Sequence, residues 1–347
     1  MRYEKGKNIG LTLGLLWLAI GCATQQYAAI SVDGNRALAL TDTVRMTPVK
    51  SELPILAPGR LFTAGKHLVL YEYAGEKRFQ VYDLPLTGKC FEAGMLGRGP
   101  HEFIDPDMGS MLGCDDGFYL ADQDAFKTVR IGDRSLSVVS KVPLLTEGAN
   151  LNGVIKVKDK YLNPDVYAMV PGSLPEGPRQ FQVIGPKGVE KRIAELPEWN
   201  DDDDNLIRYF SSVVARPGED VFAAFYALNF RKIRYYNLDG DLLMEVSADF
   251  PDKSIHGGDE YFSTYGRAFA SKDRIVVICN NSSRVAKGKT PSYTELQIWD
   301  WKGHLIHRLI VTMRFGVYTV DFSTGLLYVA SGGHEDDIFY CDISKYL

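Results

Sequence analysis

A short run near position 100 carries side chains well suited to bind a charged ligand. Residues 97–103 read Gly-Arg-Gly-Pro-His-Glu-Phe, which places Arg98, His101 and Glu102 close together. Arginine, histidine and carboxylate groups form charge-assisted hydrogen bonds. The run is either a loop that presents these three side chains to a ligand near the centre of the fold or a structural connector. Turn-forming residues supply most of the pattern, which favours the connector.

The second group with distinctive chemistry is the thiol of Cys22. Basic residues at positions 2, 5 and 7 precede an apolar run at 9–20, which is shorter than the roughly 20 residues of a membrane-spanning helix. This pattern predicts a signal peptide over residues 1–21. Residues 18–22, Leu-Ala-Ile-Gly-Cys, resemble the lipobox at which bacterial prolipoproteins are lipidated and cleaved. We therefore predict a lipidated Cys22, a tether over residues 22–40, and the lipid bilayer as a partner.

The predicted location follows from the same segment. Lipidation of Cys22 would place the protein at the cell envelope. Residues 23–26, Ala-Thr-Gln-Gln, lack the acidic cluster that marks surface export in some lipoprotein families. We therefore expect an outer-membrane anchor with the folded part facing the periplasm. The alternative is an ordinary secretory signal that is cut elsewhere, with Cys22 incidental.

Four more cysteines follow the predicted anchor: Cys90, Cys114, Cys279 and Cys341. An oxidising compartment permits disulfides, but no close spacing selects a pairing. Each cysteine lies in or beside an apolar strand pattern, so isolated buried thiols are an equal alternative. The sequence leaves their disulfide state open.

Metal-binding and catalytic motifs are weak in this sequence. The four aspartates at 201–204 could bind calcium, but they lack the spacing and the glycine of a calcium-binding loop, which favours a solvated loop. Residues 334–337, His-Glu-Asp-Asp, read as a polar hairpin tip. Neither G-x-S-x-G nor H-E-x-x-H occurs. We expect no cofactor, and a divalent cation stays an open alternative.

The elements that must position these residues repeat along the chain. Six copies of a pattern of short apolar strands and turns follow one another at steps of 42 to 60 residues. Equivalent anchor positions are Leu70, Leu120, Leu162, Phe222, Val277 and Tyr328. This period suits four-stranded blades, and no helical crossovers of the kind that parallel strands need are visible. The sequence predicts an all-β fold, a six-bladed β-propeller of four-stranded antiparallel blades, as a single domain over residues 41–347.

The sixth copy is too short to complete its blade. The chain ends five residues after Asp342, which leaves little room for a fourth strand. We expect the extended segment 43–47 to pair with the final blade and close the ring. Such closure hides a strand edge that would otherwise invite aggregation. Pro48, at the end of this segment, suits an outer strand.

The run at 97–103 also carries a family resemblance. It resembles the G-x-G-P-x-E-F signature of the TolB-like six-bladed β-propeller lipoproteins of Gram-negative bacteria, and His101 replaces a glycine often seen in that family. With the lipobox, the resemblance covers nearly the whole chain. It implies the propeller fold but no particular activity, because propellers host many unrelated functions.

Position in the predicted propeller adds four candidate residues. The first strand of each blade lines the central channel, which makes Arg208, Tyr209, Tyr265 and Arg267 candidate binding residues. Binding faces often recruit arginine and aromatic side chains. The same residue types are equally ordinary in strands.

Three functions are consistent with these features. The leading hypothesis is a non-enzymatic binding or scaffolding module for an envelope protein or peptide. The second is a hydrolase or lactonase with a divalent cation in the channel, and the third is capture of a sugar or other small nutrient. Convergent carboxylates around an axial pocket would favour the second, and a broad aromatic face the first. The net charge of −5, without a dense basic stripe, argues against nucleic acid as a partner.

Overall fold

The computed structural model describes most of the chain after the predicted signal peptide. The described residues are 27–123, 125–144, 153–164, 179–185, 187–195, 210–226, 232–248, 261–283, 293–331, 333–334 and 336–347. Their strands form six separate sheets, each built on four antiparallel strands. The predicted all-β fold with six four-stranded blades is therefore confirmed.

Three strands and a helix precede the first complete blade. They are β1 (Ala28–Val32), α1 (Gly34–Ala39), β2 (Thr41–Val44) and β3 (Thr47–Lys50). Blade 1 contains β4 (Pro58–Ala64), β5 (His67–Glu72), β6 (Lys77–Asp83) and β7 (Cys90–Met95). Blade 2 contains β8 (Leu112–Cys114), β9 (Gly117–Asp122), β10 (Ala125–Gly132) and β11 (Ser135–Pro143). Blade 3 contains β12 (Ile155–Val157), β13 (Lys160–Pro164), β14 (Arg179–Gly185) and β15 (Gly188–Glu195).

The second half of the ring follows the same order. Blade 4 contains β16 (Ser211–Ala215), β17 (Val221–Tyr226), β18 (Lys232–Asn237) and β19 (Leu242–Ala248). Blade 5 contains β20 (Tyr261–Ala270), β21 (Arg274–Ser283), β22 (Thr294–Asp300) and β23 (Leu305–Val311). Blade 6 contains β24 (Val317–Asp321), β25 (Leu326–Ala330) and β26 (Asp337–Asp342). Single turns of 3-10 helix span Met108–Ser110 and Ser344–Tyr346.

Apolar side chains fill the spaces between neighbouring blades. In β17, Phe222 packs toward blade 3 while Ala223 and Phe225 pack toward blade 5. Successive residues of a strand point to opposite faces, and both faces of a blade are covered, so nearly every position in such a strand is apolar. Six hydrophobic clusters occupy the six interfaces between blades. The core of the protein is therefore a ring around the axis.

An N-terminal strand closes this ring, as predicted, but it is formed by a later segment of the chain than the one we expected. The strand that pairs with the last blade is Thr47–Lys50, which runs antiparallel to β26 and places Pro48 opposite Phe339. Only Thr47 of the predicted segment 43–47 belongs to it. Thr41–Val44 instead runs parallel to β23 and widens blade 5. Pro48 lies in the outermost strand of blade 6, where a missing N–H leaves no ladder bond unmade.

Part of the segment predicted as a tether packs on the propeller. The strand Ala28–Val32 pairs in parallel with β19 at the edge of blade 4. In the helix Gly34–Ala39, the N-cap Asp33 accepts a hydrogen bond from the Arg36 N–H at 2.8 Å. Ala37 of this helix is buried against blades 4 and 5. The packed domain therefore begins before residue 41, because two blade edges offer unpaired backbone groups and apolar surface to this segment.

The two ends of the propeller differ in the length of their connections. Because the strands of each blade are antiparallel, the connections between the second and third strands emerge at the same end as those between blades. This end carries every connection of ten or more residues, at 96–111, 144–154, 165–178, 196–210, 249–260 and 284–293. Connections at the opposite end have six residues or fewer. We call the first end the loop-rich end.

The described residues contain no helix that is both long and apolar enough to cross a membrane. The four cysteines after the predicted anchor form no disulfide with one another. Cys279 and Cys341 are buried in blades 5 and 6, while Cys90 and Cys114 are partly exposed in blades 1 and 2. Among the two interpretations left open by the sequence, the structure therefore favours separate thiols.

Candidate binding site at the propeller axis

Two arginines lie on innermost strands at the centre of the ring. Arg60 is in β4 and Arg267 is in β20, and both follow a glycine where the strand register shifts against its neighbour. A β-bulge of this kind turns a side chain out of the regular alternation. The same pattern, Gly-Arg-x-Phe, occupies residues 59–62 and 266–269. We call Arg60 and Arg267 the axial arginine pair.

Arg60 is buried, with 5% of its surface exposed. Its Nη2 donates a hydrogen bond to the carbonyl of Met111 in blade 2 at 3.2 Å. Its guanidinium lies 4.7 Å from the centre of the Phe269 ring in blade 5, a cation–π contact. The buried Nε of Arg60 has no hydrogen-bond partner among the described residues. Arg60 therefore holds an unsatisfied donor inside the ring.

Arg267 reaches the same part of the ring from the other side. Its Nη2 donates a hydrogen bond to the carbonyl of Gly109, in the connection that leads into blade 2. Blades 2 and 5 face each other in a ring of six, so this bond reaches across the axis. The Tyr318 hydroxyl of blade 6 donates to the main-chain carbonyl of Arg267. Burial lowers the pKa of Arg267 to about 9, which leaves the guanidinium protonated at neutral pH.

The segment 107–111 positions the two carbonyls that these arginines contact. Asp107 caps the 3-10 turn Met108–Ser110. Its carboxylate accepts hydrogen bonds from the N–H groups of Gly109 at 2.9 Å and Gly153 at 2.7 Å, which ties the turn to blade 3. Burial raises the pKa of Asp107, against the lowering effect of these N–H donors. The carbonyls of Gly109 and Met111 are thereby held toward the axis.

Among the described residues, Arg60 differs from the other buried cations in lacking an acidic partner, and the half-buried Arg267 lacks one as well. Within the part of the chain that the structure describes, each of the others forms a salt bridge, namely Lys127 with Asp122, Arg234 with Glu245 and Arg308 with Glu295. No described carboxylate lies within salt-bridge distance of Arg60 or Arg267, whose contacts are carbonyls and an aromatic ring. Within the described residues, two positive charges therefore lie near the axis without an acidic partner, an arrangement that attracts anions.

Exposed apolar side chains concentrate at the loop-rich end, to which the connection with Gly109 and Met111 also belongs. Among the described residues, twelve large hydrophobic side chains are exposed, and eight of them lie at the loop-rich end. The eight are Leu56, Tyr73, Met95, Leu96, Ile104, Met108, Leu112 and Phe210. All but Phe210 come from blades 1 and 2 and the connections next to them. A concentration of this kind is typical of a binding surface. We call these eight residues the apolar rim.

The run at 97–103 does not present its side chains at the axis. A parallel bridge between Leu96 and Phe103 holds it beside the outermost strand of blade 1. The Glu102 carboxylate accepts a hydrogen bond from the Gly99 N–H at 2.7 Å, inside its own loop. Arg98 and His101 are exposed. Of the two interpretations of this run, these contacts agree with the structural connector, and the residues that reach the axis, 107–111, follow in the same connection.

The glycines of this run are needed for close packing. A side chain at position 97 would meet the Glu102 carboxylate at 2.1 Å, and one at position 99 would meet it at 2.9 Å. Phe103 is fully buried between blades 1 and 2, with its ring 5.3 Å from that of Phe79. Lys127 donates to the Glu102 carbonyl at 2.8 Å. These contacts describe a structural connector.

The four residues predicted to line the channel have different locations. Arg267 lies at the axis, as described above. Tyr265 is buried between blades 4 and 5, where it packs against Phe225 and donates to Gln297 at 3.1 Å. Arg208 and Tyr209 lie outside the described residues. The sequence analysis missed Arg60, although the repeated Gly-Arg-x-Phe pattern could have identified it.

A cavity lies at the outer edge between blades 3 and 4. It is an open groove of about 410 Å³ that includes Tyr27, Arg179, Arg192 and Arg234. Arg179 and Arg234 form salt bridges with Glu195 and Glu245, at 3.2 and 2.7 Å. Their charges are balanced within the protein, unlike those of the axial arginine pair. Among the described residues, no group of three His, Cys, Asp or Glu side chains is placed to bind a metal ion.

Comparison with known proteins adds little beyond these observations. No family model matches the chain, and no curated protein matches it. Among solved structures, hydrazine synthase of Kuenenia stuttgartiensis is 13% identical with a TM-score of 0.47, covering 86% of this chain and 79% of that one. Raptor of Chaetomium thermophilum is 11% identical with a TM-score of 0.42, covering 85% of this chain and 29% of that one. Neither similarity indicates what this chain binds.

Proposed function

We propose that this protein is an envelope lipoprotein that binds a protein or peptide partner with the loop-rich end of its propeller. The concentration of exposed apolar side chains at that end is the observation that carries the proposal. Eight of twelve such residues in the described chain lie there. Exposed aromatic and aliphatic side chains grouped at one end of a domain are typical of a protein-binding surface.

The residues at the axis favour binding of a partner over metal-dependent hydrolysis. A hydrolase or lactonase with a divalent cation would need oxygen ligands that converge on the channel. In the described part of the axis, the carboxylate of Asp107 already accepts two backbone hydrogen bonds, and the groups that converge are guanidinium groups. Guanidinium groups recognise anions and repel cations. No observation favours capture of a sugar over binding of a protein.

The test is capture of a partner from detergent-solubilised envelope, with two double variants compared. The first variant carries Leu56→Ser and Leu96→Ser on the apolar rim. The control carries Val139→Ser and Leu243→Ser, which lie on the fourth strands of blades 2 and 4 and are similarly exposed. We expect a stoichiometric partner with the wild type and the control, and loss of that partner with the rim variant. Equal capture by all three proteins would contradict the proposal.

The lipid anchor and the family are part of the same proposal. The run at 18–22 supports lipidation of Cys22, and the run at 97–103 supports membership of the TolB-like propeller lipoproteins. A Cys22→Ala chain should not incorporate labelled palmitate and should leave the membrane fraction, because no acyl chain would then anchor it. Retention of this variant in the outer-membrane fraction would contradict the anchor without affecting the binding proposal.

A further inference from the structure

We propose that the axial arginine pair binds a carboxylate group of the partner, which is therefore a peptide segment that is acidic or ends in a free carboxylate. This inference names the chemistry of the partner and rests on the proposed function. It concerns Arg60 and Arg267 and the segment 107–111 that both contact. The apolar rim would contact the rest of the same segment.

The first argument is the convergence of the two guanidinium groups. Arg60 and Arg267 come from blades 1 and 5, yet both donate to the same short turn, at the carbonyls of Met111 and Gly109. A guanidinium has five N–H donors, and these carbonyls occupy one from each arginine. The remaining donors suit a planar, two-oxygen acceptor, which arginine binds with paired hydrogen bonds.

The second argument is the loss of folding free energy that the site causes when no ligand is bound. Arg60 is 5% exposed and its Nε has no partner among the described residues. A buried charge and an unmade hydrogen bond both destabilise a folded protein. The described protein satisfies its other buried cations with carboxylates, such as Glu245 and Glu295. A carboxylate from a ligand would complete the axial site in the same way.

The third argument concerns the side chains near the site. The surrounding side chains, including Tyr73, Met108 and Phe210, are apolar and exposed, which suits the body of a peptide.

The test measures binding of three small probes to the full chain purified in detergent, by saturation-transfer NMR. The probes are phenylacetate, phenylacetamide and phenyl phosphate, which share an aromatic ring and differ in charge. We expect phenylacetate to bind about tenfold more tightly than the other two. Equal binding of the acid and the amide, tighter binding of the phosphate, or no binding of any probe would each overturn the carboxylate assignment.

Variants of Arg267 test whether phenylacetate binds at the axial arginine pair. Arg267→Gln should weaken phenylacetate binding about tenfold, and Arg267→Lys should weaken it less, because the charge remains while the paired donors are lost. Arg130→Gln is the control, since Arg130 is exposed and pairs with Asp116 at the opposite end. Unchanged phenylacetate binding in Arg267→Gln would overturn the site. The wild-type comparison of acid with amide holds even if Arg267→Gln does not fold.

The same variants separate this inference from the proposed function. Partner capture that survives Arg267→Gln but not the Leu56→Ser, Leu96→Ser change would support the binding surface and overturn the carboxylate site. Phenylacetate binding without any captured partner would support the site and overturn the protein-binding proposal.

Discussion

The guanidinium of Arg267 in blade 5 donates a hydrogen bond across the propeller axis to the carbonyl of Gly109, in the connection between blades 1 and 2. Arg60 donates to Met111, two residues further along the same connection. The segment 107–111 therefore links blades on opposite sides of the ring. Its position depends on how closely Gly109 approaches Gly153 of the next blade.

Replacing Gly109 with alanine should displace this segment. A Cβ there would lie 2.7 Å from the Gly153 Cα and 2.9 Å from the Asp107 carboxylate. We expect Gly109→Ala to lower the free energy of unfolding by about 2 kcal/mol, as overpacking does, and to weaken binding at the axis. Gly316→Ala is the control, because nothing lies within 4 Å of its added methyl. Urea unfolding of both variants measures the difference, and equal stabilities would show that the segment adapts freely.

The run at 97–103 should respond to substitution as a structural connector. Glu102→Ala removes the acceptor of the Gly99 N–H and should lower the free energy of unfolding by about 1.5 kcal/mol. Arg98→Ala and His101→Ala remove exposed side chains and should change it by less than about 0.5 kcal/mol. Partner capture by these last two variants is the second readout. Its loss in folded protein would restore the ligand-binding interpretation of the loop.

The sequence predicted the blades well because each strand carries its own signal. Strands such as Val221–Tyr226 are apolar at nearly every position, and turn residues separate them. The signal for ring closure is weaker. Thr41–Val44 and Thr47–Lys50 look alike in sequence, and which of them pairs with blade 6 depends on edges supplied by distant parts of the chain.

The axial site was harder to predict than the fold. In a regular strand the side chains of Tyr265 and Arg267 would point to the same face of the sheet, since these residues are two positions apart. The register shift between Tyr265 and Ala268 separates them, so that Tyr265 enters the core and Arg267 reaches the axis. A bulge has no reliable pattern in a single sequence. The repeated Gly-Arg-x-Phe was the available signal.

Closure of the ring should depend on Gly88. Its φ of +84° favours glycine, and an added Cβ would lie 1.9 Å from the Lys50 carbonyl at the end of the closing strand. Gly75 has a similar φ of +89°, but its added Cβ would meet nothing nearer than 3.4 Å. We expect Gly88→Ala to destabilise the protein by about 2 kcal/mol more than Gly75→Ala. Thermal unfolding compares the two, and equal losses would mean that backbone conformation alone accounts for the effect.

The cluster of Lys232, Arg234 and Glu245 in blade 4 should make the free energy of unfolding depend on pH. Burial alone would raise the pKa of Glu245, but hydrogen bonds from Lys232 and Arg234 outweigh it, and the pKa is lowered. A carboxylate with a folded pKa below its unfolded value stabilises the fold above the unfolded pKa, and this contribution is lost as pH falls through the folded one.

Glu245→Gln tests this linkage. The substitution removes the charge that pairs with Lys232 at 2.9 Å and Arg234 at 2.7 Å, and it should cost about 2 kcal/mol at pH 7. The difference from wild type should shrink as the pH falls below the usual glutamate pKa, since the carboxylate of the unfolded wild-type chain then takes up a proton while that of the folded chain is still charged. Urea unfolding between pH 3 and pH 7 measures the gap at each pH. Lys160 and Glu190 form a more exposed pair, so Glu190→Gln is the control and should change stability by less than about 1 kcal/mol. A gap for Glu245→Gln that stays constant down to pH 3 would contradict the lowered pKa.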